Sequence, residues 1–353
     1  MTYDRGIKGK KMTYDPGIKG KRVTYDSRTE MDHLGYNKTS SFSHMEFILV
    51  GFPGVTKYRP LLALPFSFIY AVILSGNSVV MLVIVLEKSL HTPMYTLIFS
   101  LLATNVVYTT AITPKMLLGL FGLNQITLAG CLVQIFTVYF SIMAESTIVL
   151  LMAIDRYLAI NQPLHYQEIV VKHVIVHSAV NGVIRYSFVV LPLVIIGARL
   201  RYCRSNIIPH FHCESMMLFS LGCEESRVQI AGLVMRTLMM FCDIAIILIS
   251  YLKVLQTVLR IAVGMARYKA LHTCSTHLVV VVLIYSSGFL ISVLYLPGNS
   301  TSYDLQNIFS AIYFLFSATL NPLIYGLRME GIRSNLQKRW RKKKGLSVQH
   351  RKH

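Results

Sequence analysis

Asp155-Arg156-Tyr157 closes a long apolar stretch that opens at Cys131. An acid and a base side by side at the edge of such a run can hold each other or separate, so Arg156 is a cation whose engagement can change. Glu145 lies inside the same run, where a carboxylate is costly enough to mark a functional position by default. Three basic residues, Arg185, Arg236 and Lys253, also fall within apolar stretches. Arg236 precedes Asp243 by seven residues, close to two helical turns, so the two share a face. Cys131, Cys203, Cys213 and Cys223 suit an oxidising compartment and allow three pairings. Metal binding by the loop cysteines with His210 and His212 is the other chemistry they could do. Cys242, within a span, and Cys274, at a span end, are expected to stay reduced. No His-Glu-x-x-His or similar ligand spacing occurs, so the chain does not read as an enzyme.

The elements that carry these residues must cross a bilayer. From Cys131 to Asp155 a helix rises roughly 36 Å at about 1.5 Å per residue, enough for a hydrocarbon core about 30 Å thick. Charged residues make up 14% of the 353, against about 25% in soluble domains. Mean hydropathy is +0.52. A polytopic membrane protein follows, and the net charge of +19 is read accordingly. Much of it lies in the tail Arg333 to Lys344, beside anionic membrane lipid rather than nucleic acid. That tail is expected to form a short amphipathic helix on the cytoplasmic leaflet, with Leu336 and Trp340 four apart on one face.

Apolar spans occur at about 61–86, 94–118, 131–155, 174–197, 228–252, 272–296 and 303–327. The odd number puts the termini on opposite sides, and Lys and Arg concentrate in the tail and loops on the C-terminal side, which makes that side cytoplasmic. Residues 1–30 oppose this bias. Met1–Lys11 and Met12–Arg22 are near copies and Val23-Thr24-Tyr25-Asp26 begins a third, in a segment too poor in apolar residues to form a core. The organisation is thus a repetitive disordered extension (1–30), an extracellular N-terminus (31–60) with the glycosylation acceptor Asn37-Lys38-Thr39, a transmembrane domain (61–327) and a cytoplasmic basic tail (328–353). Seven spans alone would also permit a transporter or channel, but no internal repeat beyond the N-terminal copies supports one.

Five ordered motifs then stand out: Leu90-His91-Thr92-Pro93-Met94-Tyr95, MAIDRYLAINQPLHY at 152–166, Ser250-Tyr251, Lys269 to His277 (KALHTCSTH), and Asn321-Pro322-Leu323-Ile324-Tyr325. Together they resemble the signature set of olfactory receptors, a rhodopsin-like G-protein-coupled receptor family. Gly51-Phe52-Pro53-Gly54 and Arg201 to Asn206 look more like its fish-like class I branch. The resemblance implies an all-α, seven-transmembrane helix bundle. It also implies a plasma-membrane receptor for small volatile or water-soluble odorants that activates a stimulatory heterotrimeric G protein and raises cAMP. Asp155, Arg156, Tyr157, Tyr251, Asn321, Pro322 and Tyr325 would carry activation, and the cysteines would pair Cys131 with Cys213 and Cys203 with Cys223.

Departures from the pattern matter as well. Asn105 replaces the usual aspartate of the second span, and Ile160-Asn161-Gln162-Pro163 replaces Ile-Cys-Asn-Pro. By resemblance, Glu145 with Asn77, Asn105, Ser146 and Asn321 could hold a sodium ion in the inactive state; otherwise Glu145 is a neutral packing residue. No other cofactor is expected. The acid clamp of related class I receptors is missing, since Leu296 and Tyr139 stand at its positions. A pocket of Tyr139, Ile142, Met143, Arg236, Met239, Tyr285, Phe289 and Ser292 is expected instead, apolar with Arg236 as the cation. Alternatively, Arg236 snorkels to the outer surface or pairs with Glu214.

Overall fold

The computed structural model describes residues 43–161, 175–223, 227–261, 264–294 and 302–349. Residues 1–30 and Asn37 lie outside this set. Seven long helices occur among the described residues: α1 (Arg59–Leu86), α2 (Pro93–Leu120), α3 (Leu128–Asn161), α4 (Ile175–Arg199), α5 (Arg227–Ile261), α6 (Met265–Leu294) and α7 (Tyr303–Arg328). An eighth, α8 (Glu330–Gln349), follows α7. Six of them, all of the first seven except α4, are long and apolar enough to cross a membrane. The 25 residues of α4 span about 37 Å, and the chain is a seven-transmembrane, rhodopsin-like bundle.

Local sequence sets the helix ends. Pro60 and Pro93 occupy the first turns of α1 and α2, where their missing N–H is not needed. Ser302 caps α7 by accepting from the Leu305 N–H, with Asp304 in the first turn and Arg328 in the last, matching the helix dipole. Pro322 inside α7 removes the donor that the Ala318 carbonyl would have used. Asn77 of α1 supplies the replacement, its Nδ2 donating to Ala318 O at 3.0 Å. A residue from another helix thus satisfies the gap that the proline leaves.

Helix α3 is the most enclosed of the spans and packs against α2, α4, α5 and α6. Its Cys131 end lies under a small cap that the sequence did not announce. Strand β1 (Glu46–Leu49) pairs antiparallel with β2 (Gln125–Thr127) and parallel with β3 (Ile207–Ile208), so that Ile48 faces both Gln125 and Ile207. The chain leaves β1 through Gly51 at φ +69°, a left-handed conformation that costs glycine least. Both disulfides are in this cap: Cys131–Cys213 and Cys203–Cys223, with Cα separations of 5.4 and 5.1 Å. Cys242 and Cys274 are free.

At the other end, α8 is longer than the 333–344 segment expected from sequence. Ile332 is fully buried and Leu336 packs against the bundle core, whereas Trp340 is exposed. Gly331 lets α8 approach closely, because a Cβ there would collide with the Tyr95 hydroxyl.

Candidate functional site

A cavity of about 90 Å³ opens among α3, α4, α5, α6 and α7, toward the Cys131 end. Tyr139, Ile142, Met143, Met239, Tyr285 and Ser292 line it. Two residues expected with them do not join the described lining. Phe289 is 48% exposed, because it lies about 40° round the helix from Tyr285 on the side away from Gly288, Ile291 and Ser292, the residues of α6 that face the cavity. Arg236 lies outside the described side chains.

The cation that does line the cavity is Arg185 of α4, whose guanidinium donates to Asp243 Oδ2 at 2.7 Å. Ser146 Oγ donates to the same oxygen at 2.5 Å and meets the Tyr285 hydroxyl at 3.1 Å. Removing one partner of such a buried pair costs about 3–5 kcal/mol, since the other charge is left uncompensated. Sequence reasoning placed both charges inside the bilayer and put Asp243 on one face with Arg236, but it did not foresee Arg185 as a partner. The rule that could have found the pair is that intramembrane charges on different helices seek each other.

Above the cavity, the Cys131–Cys213 bond pins the segment His210 to Glu214 to the end of α3, and the Cys213 N–H donates to Gln134 Oε1 at 2.7 Å. Glu214 closes the lid. Its carboxylate accepts from the N–H groups of Met216 and Met217 at the start of a helical turn (Ser215–Ser220), and from the Tyr139 hydroxyl at 2.6 Å. His210 and His212 are buried. Burial holds the His210 imidazole down at about 3 and, with the neighbouring His210, keeps His212 well below its ordinary value, so both are neutral at pH 7. His212 packs edge-on against Phe314, and its Nδ1 has no hydrogen-bond partner among the described residues.

The middle of the bundle divides the polar set expected to act together. Asn105 donates to Asn77 Oδ1 at 3.3 Å and accepts from Asn321 at 3.4 Å. Glu145 accepts from Ser317 Oγ at 3.4 Å. Ser146 instead turns to Asp243. Glu145, Asn105 and Asn321 present the oxygen donors that suit a hard cation, but Ser146 is committed elsewhere.

At the far end of α3, Arg156 lies 3.5 Å from Asp155, and its Nε finds no partner among the described residues. Tyr325 is fully buried, its hydroxyl 3.9 Å from Met152 Sδ and its ring beside His277. The Tyr251 hydroxyl and His277 Nε2 are buried without partners among the described residues. Tyr157 carries Lys253 over its ring at 5.7 Å. Asn321 and Pro322 are buried in α7 next to this cluster.

A family model described as olfactory receptor matches residues 66–343. The chain belongs to the olfactory receptor family. Among curated relatives of this family member, human olfactory receptor 52Z1P is 35% identical over 290 residues, 81% of this chain and 96% of its own length. Human olfactory receptor 52H1 is 32% identical over 84% of this chain and 95% of its own. Mouse olfactory receptor 56B34 is 32% identical over 83% and 92%. As an olfactory receptor family member, the chain is not an enzyme, and nothing in the comparisons favours a transporter or channel.

Proposed function

We propose that this olfactory receptor family member takes small organic odorants into the cavity under the Cys131–Cys213 lid and activates a stimulatory heterotrimeric G protein at the Asp155 end, raising cAMP. One observation supports this above the rest: α3 runs unbroken from a lidded cavity at Tyr139 and Met143 to the Asp155–Arg156 pair. A ligand shifts such a bundle only by binding its active arrangement better than its resting one. Outward movement of α6 would free Arg156 from Asp155, let Tyr251 and Tyr325 turn inward beside Tyr157, Asn321 and Pro322, and open a groove for a G-protein helix.

In this reading the Cys131 end faces outward with Asn37 glycosylated, and the basic face of α8 meets anionic lipid on the cytoplasmic side. Tyr139, Ile142, Met143, Met239, Tyr285 and Ser292 contact the odorant, while Glu145, Asn105 and Asn321 hold a sodium ion in the resting state. The test is a cAMP reporter in cells that supply a stimulatory G protein, challenged with a panel of odorants. Ligand-dependent signal that disappears in Arg156→Ala at unchanged surface level is the expected outcome; a response untouched by that variant overturns the reading. Sodium-dependent agonist affinity should vanish in Glu145→Gln.

A further inference from the structure

The charges of the described lining differ from the apolar pocket with a single cation that the sequence suggested. Its described lining holds three carboxyl side chains, Glu145, Glu214 and Asp243, and one guanidinium, Arg185. The other basic candidate, His212, is neutral because it is buried. Arg185 is already matched to Asp243 at 2.7 Å. An incoming carboxylate would have to break that pair and then sit beside Glu214, an unfavourable juxtaposition of like charges.

Asp243 itself is half used. Both bonds it accepts, from Arg185 and from Ser146, end on Oδ2. Its Oδ1 accepts nothing from the described residues, although the side chain is only 5% exposed and lines the cavity. A buried carboxylate oxygen with an open acceptor site next to a cavity is a place for a donor. Nearby lies the Tyr285 ring, whose face attracts a cation, and the Ser146 and Tyr285 hydroxyls can accept further N–H groups. Val138, Ile142, Met143, Met239 and Ile284 offer an apolar wall for a hydrocarbon body.

Resting on the odorant-receptor reading above, we propose that the cavity selects small aliphatic amines, with the ammonium group on Asp243 Oδ1 and the alkyl chain against the methionine wall. Size follows from the volume. A cavity of about 150 Å³ admits benzene, so about 90 Å³ suits roughly four to six heavy atoms. Such amines resemble the lysine side chain, with a pKa of about 10.4, and are cations at neutral pH. Selectivity comes both from the attraction at Asp243 and from the repulsion of anions by Glu214.

The test uses three probes of one chain length, n-butylamine, n-butanol and butyrate, on the full chain. Thermal shift of the purified protein reads binding, and the cAMP reporter reads signalling. Butylamine should bind at least about tenfold more tightly than butanol, with no binding of butyrate. Asp243→Asn should weaken the amine by about tenfold or more, and Arg185→Gln, which leaves Asp243 uncompensated, should strengthen it. Where either variant does not fold, the order of butylamine, butanol and butyrate on the parent protein decides alone. Butyrate bound as tightly as butylamine, amine binding unmoved or weakened in Arg185→Gln, or no amine binding at all overturns the proposal. Amine binding with the expected variant effects but no cAMP response upholds it and overturns the receptor reading instead.

Discussion

The two ends of α3 are built on opposite rules. Around Cys131 the polar groups are mostly closed: two disulfides, a three-stranded sheet, Gln134 on the Cys213 N–H, and Glu214 accepting from two backbone amides and a tyrosine. Among the described residues, His212 Nδ1 and Thr113 Oγ1 are among the exceptions. Around Asp155 the buried Tyr251 hydroxyl, His277 Nε2 and Arg156 Nε lack partners among the described residues, and Tyr325 has only a thioether at 3.9 Å. An unpaired buried polar atom forfeits about 1–3 kcal/mol. Among the described residues, the Asp155 end thus leaves more buried polar atoms open than the Cys131 end does. In the proposed reading, the closed end is the one that takes the ligand and the open end is the one that meets the G protein.

That contrast can be broken from either side. Cys131→Ser should do the most damage, destabilising by about 2–5 kcal/mol and lowering the amount of folded protein at the cell surface; a variant as stable as the parent in thermal unfolding would show that the lid does not depend on its bond. Acid should loosen the same end next. His210 has its folded value near 3 against about 6.5 in the unfolded chain. Its contribution is therefore complete above pH 6.5 and falls as pH drops toward 3, because only the unfolded chain takes up the proton. Between pH 6.5 and 5 this amounts to about 2 kcal/mol, visible as faster amide exchange in residues 207–214, and His210→Gln should remove that share while the share of buried His212 remains.

Glu214→Ala removes a helix cap and should cost about 1–2 kcal/mol, read as a lower melting temperature without loss of the disulfide. The smallest loss belongs to the other end. Tyr251→Phe deletes a buried hydroxyl with no partner among the described residues, so stability should not fall and should rise by about 1 kcal/mol while ligand-dependent cAMP falls. A large loss of stability there would mean that the resting state already uses the hydroxyl, and would erase the contrast.

Much of this was legible from residues alone, for identifiable reasons. The spans follow from the bilayer's thickness, which sets the lengths of the apolar runs, and the motifs that flank them carry the family resemblance. The cap was not legible, because strands of four, three and two residues are too short for any alternation to register. The helical phase of α6 correctly coupled Tyr285 with Ser292, seven apart, yet it could not say how wide the cavity-facing arc was or on which side of it Phe289 fell. For Asp243, counting along one helix found a same-face neighbour in Arg236, whereas the described partner, Arg185, comes from another helix, which counting along a single helix cannot reach.

The placement of β1 has a consequence in time. Its parallel partner Ile207 is made about 160 residues after Ile48, and at about 5–20 residues per second that is a wait of roughly 10 to 30 s. Until then one edge of the strand is open, and the lid over the cavity cannot close. The chamber also needs Asp243, Tyr285 and Phe314 from α5, α6 and α7, all made after β3, so a small molecule that rescues a poorly maturing variant must act after α7 has left the ribosome, on a nearly finished bundle rather than on a nascent one.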